Sequence, residues 1–148
     1  MNKTEQERAA IVYFVRSLGL GLKEYFREIP ENICTPSIYY PNPEISAGYD
    51  TFTSYKNSYV MYVKVIGKNT EESSGIAGEI VNSIQNSRRR IHMPDEKGNM
   101  TSKVCVIRRM EMKTIDTGIT QIELEWDVRK NMDRPDKIQN FRFRRNEK

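Results

Sequence analysis

Apolar residues recur at three- and four-residue steps from Ile11 through Val15, Leu18 and Leu22 to Phe26, the stripe of a helix with one buried face. Thr4 with Glu7 three positions on is a capping-box pattern, so the spacing predicts a helix from about Thr4 up to Pro30. Gly19 and Gly21 weaken its middle and predict a kink or a break into two helices. Ile33 to Tyr40 is short and β-rich, but Pro36 inside it and Pro41 and Pro43 after it assign it to a sheet edge. Residues 44–57 scatter aromatics among Gly, Asp, Ser and Asn, the composition of a loop or of an extension that packs on a neighbour. Tyr59 to Ile66 is nearly all apolar or aromatic and predicts a central strand covered on both faces.

Asn69 and Glu72 form a second capping-box pattern. Ile76, Ala77, Ile80, Val81 and Ile84 then give a helix its core-facing stripe through about Gln85. Arg88 to Met93 reads as a short strand stopped by Pro94 and a DEKGN turn. Val104–Ile115 and Ile119–Arg129 flank Asp116-Thr117-Gly118, and glycine suits the left-handed position of a three-residue hairpin loop. With Ile115 facing Ile119, the register pairs Met112 with Ile122, Met110 with Leu124 and Val106 with Val128 on one apolar face. The other face carries Lys113–Gln121, Glu111–Glu123, Arg109–Glu125 and Cys105–Arg129. Arg108 is then a misfit opposite Trp126, which a guanidinium stacked over the indole would accommodate.

These elements predict an α+β fold: a single mainly antiparallel β-sheet with an N-terminal helix and a second helix packed on it. Residues 1–128 form the domain and 129–148 a basic, extended C-terminal arm. No internal repeat or low-complexity segment interrupts them.

The chain has 148 residues, the length of one ordinary domain with its own core. It contains no apolar run long enough for a membrane span, and MNKTEQERAA lacks the apolar stretch of a secretory signal. A soluble, cytoplasmic protein with no membrane partner is the expectation. Cys34 and Cys105 match no metal or redox spacing and read as buried free thiols. The net charge is +4, and its placement matters more than its size. Eight of the 24 Lys/Arg and three of the 20 Asp/Glu fall from Arg129 onward, so the body is near neutral and the arm carries the excess.

Candidate chemistry is sparse. The stretch YVMYVKVIGKNTEESSGIAGEIV invites comparison with a phosphate-binding loop, which requires Gly, four residues, then Gly-Lys-Ser/Thr. Here Asn69 follows Gly67-Lys68, and Tyr62 stands where the first glycine belongs. The stretch therefore predicts a strand, a tight turn and a capped helix. His92 is the only histidine, so no histidine-pair metal site can form. Nothing near Cys34 or Cys105 marks either as a nucleophile to pair with it. Glu111 and Glu123, opposite each other, read as an exposed pair relieved by Lys113 or Arg109 rather than as an acid–base pair. The sequence predicts no catalytic residue, no cofactor and no metal.

Two positive clusters remain, Arg88-Arg89-Arg90 and NFRFRRNEK, in which Phe141 and Phe143 alternate with Arg142, Arg144 and Arg145. The arm could bind single-stranded nucleic acid through stacking and phosphate contacts, add as a strand to another subunit's sheet edge, or stay solvated. No helix-turn-helix, zinc-finger or basic-zipper pattern supports sequence-specific DNA reading. Tyr39, Tyr40, Tyr49, Phe52, Tyr55 and Tyr59 crowd into a short stretch, more than one small domain readily buries, and tyrosine favours interfaces.

Three segments taken in order are TPSIYYPNPE after the first helix, YVMYVKVIGKNTEESSGIAGEIVNSI, and the hairpin KVCVIRRMEMKTIDTGITQIELEWDVRK. Together they resemble the tail terminator proteins of long-tailed bacteriophages and related contractile-tail particles. The likeness covers most of residues 5–130 and rests on element order and size, with no diagnostic motif; the arm beyond Arg129 is not part of it. The resemblance implies a non-enzymatic virion protein of the tail or neck, assembled in the host cytoplasm. Such a protein forms a hexameric ring that caps the tail tube protein, stops its polymerisation and meets a head or neck connector protein, with DNA passing through the lumen.

On that reading the candidate subunit contacts are Tyr49, Phe52, Tyr55, Phe141 and Phe143. Arg88, Arg89, Arg90, Arg142, Arg144 and Arg145 would face an acidic neighbour or make non-specific DNA contacts in the lumen. Another connector of the same particle, a tail-completion or head-closure subunit, is the nearest alternative; a single-stranded nucleic-acid-binding protein is the alternative of a different class.

Overall fold

The computed structural model describes residues 3–131. Its element order is α1 (Lys3–Ser17), β1 (Lys23–Tyr25), β2 (Ser37–Tyr39), β3 (Glu44–Thr51), β4 (Ser54–Ile66), α2 (Thr70–Asn86), β5 (Arg90–Pro94), β6 (Met100–Asp116) and β7 (Ile119–Asn131). The strands form one sheet in the order β1-β2-β4-β7-β6-β5, with β3 also paired to β4. All pairings are antiparallel except β1 with β2, so the fold is α+β with a mainly antiparallel sheet.

One face of the sheet carries the core. Tyr59, Met61, Val63 and Val65 of β4 alternate with half-exposed residues, as do Ile122, Leu124 and Trp126 of β7. Ala10, Ile11, Val12 and Val15 of α1 and Ala77, Ile80 and Ile84 of α2 join the same buried cluster. Each wholly buried isoleucine contributes about 1.5–3 kcal/mol. On the opposite face Val60, Tyr62 and Lys64 are only half-buried. β4 is thus central but covered on one face, a correction to the expectation of two covered faces.

The first helix is shorter than its stripe suggested. After Ser17 the chain turns through Gly19 (φ 65°) and Gly21 (φ 67°), a region glycine enters without the Cβ penalty. Leu18, Leu20 and Leu22 still pack on the core, now at every second position, and β1 replaces the second half of the predicted helix. Glu7 lies inside α1, 4% exposed, and its carboxylate accepts from Trp126 Nε1 at 3.1 Å.

Two further expectations change. β2 is not an edge, because β1 pairs on one side of it and β4 on the other. Residues 44–57 are not a loop, since β3 and the start of β4 form a hairpin in which Ile45 opposes Tyr59 and Tyr49 opposes Tyr55.

α2 follows its prediction closely. Asn69 caps it, with Oδ1 accepting from Glu72 N at 2.9 Å, while Glu72 Oε1 accepts from Lys68 N at 2.9 Å. Glu71 and Glu72 in the first turn suit the positive end of the helix dipole.

In the β6–β7 hairpin the pairs Met112–Ile122, Met110–Leu124, Lys113–Gln121, Glu111–Glu123 and Arg109–Glu125 stand as expected. The loop is Thr117-Gly118, with a bulge between Thr114 and Asp116. A second bulge at Arg108 resolves the misfit. Ile107, not Arg108, opposes Trp126, and beyond this point the faces exchange. Cys105 and Ile107 are buried while Val106 is 51% exposed, the reverse of the unbulged register. β7 runs to Asn131, three residues into the segment assigned to the arm.

Candidate assembly surfaces

The strand–turn–helix around Gly67 is built as a structural joint. Gly67 N donates to Gly118 O at 2.9 Å, and Gly118 N donates to Thr70 Oγ1 at 3.1 Å. The β6–β7 turn is therefore docked on the β4–α2 connection. A buried Ser73 Oγ–Thr120 Oγ1 hydrogen bond of 2.9 Å continues the contact from α2 to β7. The amides of Gly67, Lys68, Glu72 and Ser73 are all committed to the turn and the cap.

Among the described residues no three of His, Cys, Asp and Glu converge as a metal site would require. His92 is exposed on β5, its Nδ1 3.3 Å from Thr101 O. Cys105 is buried, and burial, with the nearby Glu7 charge adding, pushes its thiol up to about 12. Cys34 is exposed, so only one of the two thiols is buried as expected. Glu111 and Glu123 oppose each other on the open face, and Arg109 pairs with Glu111 and, at 3.5 Å, with Glu125. Arg108, bulged outward, reaches Asp127 at 3.0 Å and Glu125 at 3.5 Å. Desolvation, then the charges of Glu44, Glu123 and Glu125, hold the Tyr62 hydroxyl above its usual range. The open face is thus a field of charges of both signs, with a shallow hollow between Val106, Arg108, Asp127 and Arg129.

The candidate contact residues separate. Phe52, at the tip of the β3–β4 hairpin, is 89% exposed. Tyr55 is half-buried, and the Tyr49 backbone lies directly across from it. The aromatic crowding that pointed to an interface is met partly by the chain's own core. Tyr59 is buried and stacks on Trp126 at 5.5 Å. Tyr40 is buried against Phe26, also at 5.5 Å.

Arg88 and Arg89 follow α2 with φ of 60° and 61°, each costing about 1–2 kcal/mol for a residue with a Cβ. Arg89 is structural: its guanidinium donates to Gln85 Oε1 at 2.7 Å and to Arg108 O at 2.9 Å, and its carbonyl accepts from Ile107 N at 2.8 Å. Arg88 and Arg90 are exposed. Phe141, Arg142, Phe143, Arg144 and Arg145 lie outside the described residues.

Two strand edges were not singled out from the sequence. Among the described residues β3 pairs only with β4, leaving its other edge open over Glu44–Thr51. β6 is covered by β5 up to Val106, and from Arg109 to Asp116 it pairs, among the described residues, only with β7. Ile45 at the first edge is 52% exposed, and Met112 and Ile115 at the second are 43% and 41% exposed. The signal was the alternation of Ile45, Ala47 and Tyr49, masked in composition by Gly48 between them.

No protein-family profile matches the chain. It is 28% identical over 141 residues to the uncharacterized protein YqbJ of Bacillus subtilis (strain 168), covering 94% of this chain and 96% of that protein. It is also 27% identical over 105 residues to the phage-like element PBSX protein XkdJ of the same organism, covering 71% of this chain and 72% of that one. In three dimensions it is similar to a chain of the virion of a native gene transfer agent particle. That match has a TM-score of 0.51 and 10% identity over 87% of this chain and 98% of the other, so the two share a fold.

Proposed function

We propose that this protein is a structural, non-enzymatic component of a phage-type particle, and within that class a tail terminator. Its subunits would form a six-membered ring that caps the tail tube, halts its growth and offers the surface for the head or neck. The observation that carries the particle assignment is the relation to a protein of a phage-like element across most of both chains. The shared fold with a virion chain supports it. The finer role is supported by shape. A one-faced sheet keeps a charged, open face on one side and its helices on the other, and the Phe52 hairpin projects an apolar tip. Contacts of one surface with a different surface on the next copy close into a ring when the rotation permits.

On this reading Arg88 and Arg90 are the described residues available to an acidic neighbour or to DNA in the lumen, while Arg89 is held by its own chain. A second connector of the same particle is the competing role.

Light scattering of the purified protein, alone and with tail-tube subunits, together with negative-stain images, separates the two. A closed ring with the mass of six copies is expected. A protein that stays monomeric in both conditions would overturn the terminator role and leave the connector role.

A further inference from the structure

We propose that the ring closes by strand addition, the open edge of β3 over Glu44–Gly48 pairing antiparallel with the open edge of β6 over Arg109–Lys113 of a second copy. This inference rests on the ring reading above and names the surface that makes the ring.

Direction is the first argument. β3 runs antiparallel to β4, β4 to β7, and β7 to β6, so β3 and β6 are opposite in direction and lie at opposite edges of the same sheet. A neighbour added by rotation, with its helices on the same side, therefore brings its β3 antiparallel to β6. No subunit has to turn over.

Register is the second argument. Ile45 opposes Tyr59 and Met112 opposes Ile122, both buried on the helix side, so Ile45 and Met112 share that face. Placing Ile45 opposite Met112 puts Ala47 opposite Met110. On the open face it puts Glu44 opposite Lys113, Ser46 opposite Glu111 and Gly48 opposite Arg109. Two of the chain's exposed large apolar side chains are covered at once. Charged residues at an edge ordinarily discourage addition. Here the one pair of charges that the register brings face to face, Glu44 with Lys113, is of opposite sign.

Stagger is the third argument. Through β4, Ile45 lies level with Trp126, and Met112 lies level with Ile122, four residues away along β7. At about 3.3 Å per residue the step is about 13 Å, and four strands per copy at about 4.8 Å make about 19 Å. The strands then incline by about 35°, within the tilt of sheets that close on themselves. The diagonal placement of the two open edges is what a closed circuit of sheets requires.

The test uses the full chain carrying Cys34→Ser, which removes the exposed thiol. Ile45→Cys and Met112→Cys are prepared as separate proteins, mixed and oxidised. A covalent dimer in the mixture, and in neither protein alone, is expected. A control pair on opposite faces, Ser46→Cys with Met112→Cys, gives none. Adding Glu44→Lys lowers the yield by about two- to fivefold, and Lys113→Glu in the partner restores it. No dimer in the mixture, with both proteins folded by circular dichroism, overturns the interface. Light scattering of the unoxidised parent separates the two levels. A ring without the cross-link removes this interface and keeps the ring. A cross-linked ladder in the double variant that never closes keeps the interface and removes the ring.

Discussion

Gly67→Ala tests whether the turn at the head of α2 is a packed joint. A Cβ at this position would stand 2.9 Å from Ser73 N, 3.0 Å from Glu72 Cβ and 3.1 Å from Glu72 Cγ. Those atoms belong to the first turn of a helix fixed by the Asn69 cap and by the Ser73–Thr120 hydrogen bond, so backbone must move rather than a side-chain end. Overpacking of this kind costs about 1–3 kcal/mol. The alanine also restricts the unfolded chain, which offsets about 0.4–1 kcal/mol. The net loss is about 1–2 kcal/mol, or roughly 2–8 °C in Tm for a chain of this size. Gly75→Ala and Gly78→Ala supply the contrast. Both lie within α2 with nothing within 4 Å of the added Cβ, so each should stabilise by about 0.5–1 kcal/mol. Thermal unfolding followed by circular dichroism and by Trp126 fluorescence reads all three. A Gly67→Ala protein as stable as its parent would refute the close approach. A Tm that rises with magnesium and ATP would refute the structural reading of the whole turn.

Trp126→Phe keeps the stacking on Tyr59 but removes the indole donor to Glu7. A loss of about 2–4 kcal/mol is expected in urea unfolding, since the lost bond is to a buried carboxylate. Thiol titration of the native protein at pH 8 should find Cys34 alone, with Cys105 reacting only after denaturation. Because the Cys105 thiol is held neutral up to about 12 against an ordinary 9.0, its share of stability is complete below pH 9 and falls as pH rises from 9 toward 12. A Cys105→Ala protein should lose that part of the alkaline decline. Phe52→Ser should leave the unfolding free energy within about 0.5 kcal/mol, as the side chain is 89% exposed. Light scattering should show it shifted toward smaller species, and an unchanged mass would remove the hairpin tip from the contact surface.

What could be read in advance follows from how local each determinant is. The Asn69 cap, the stripe of α2 and most of the β6–β7 register depend on residues within a few positions of one another, and the structure carries them. The first helix was overextended because Leu18 and Leu22 satisfy a helical stripe and Leu18, Leu20 and Leu22 equally satisfy a strand-like alternation. Gly19 and Gly21 decided between them by turning left-handed. The bond from Trp126 to Glu7 could not be read in advance, because the two lie 119 positions apart and no local pattern pairs them.

Arg108 is the most instructive residue. A charged side chain on an apolar face was visible as a conflict, and the physical resolution was a bulge that expels it. One extra residue then exchanged the faces of Cys105, Val106 and Ile107, so that the thiol, which the unbulged register placed on the polar face, lies in the core as its composition reading expected. The same bulge marks where the covered part of β6 ends and its open edge begins, because Arg89 spans it with bonds to Ile107 and Arg108. Arg89 adopts a left-handed conformation there, and its hydrogen bonds to Gln85, Arg108 and Ile107 offset the cost of about 1–2 kcal/mol. The arginine triplet, read as a charge cluster, thus contributes at its centre a clamp at the point where the pairing of β5 with β6 ends.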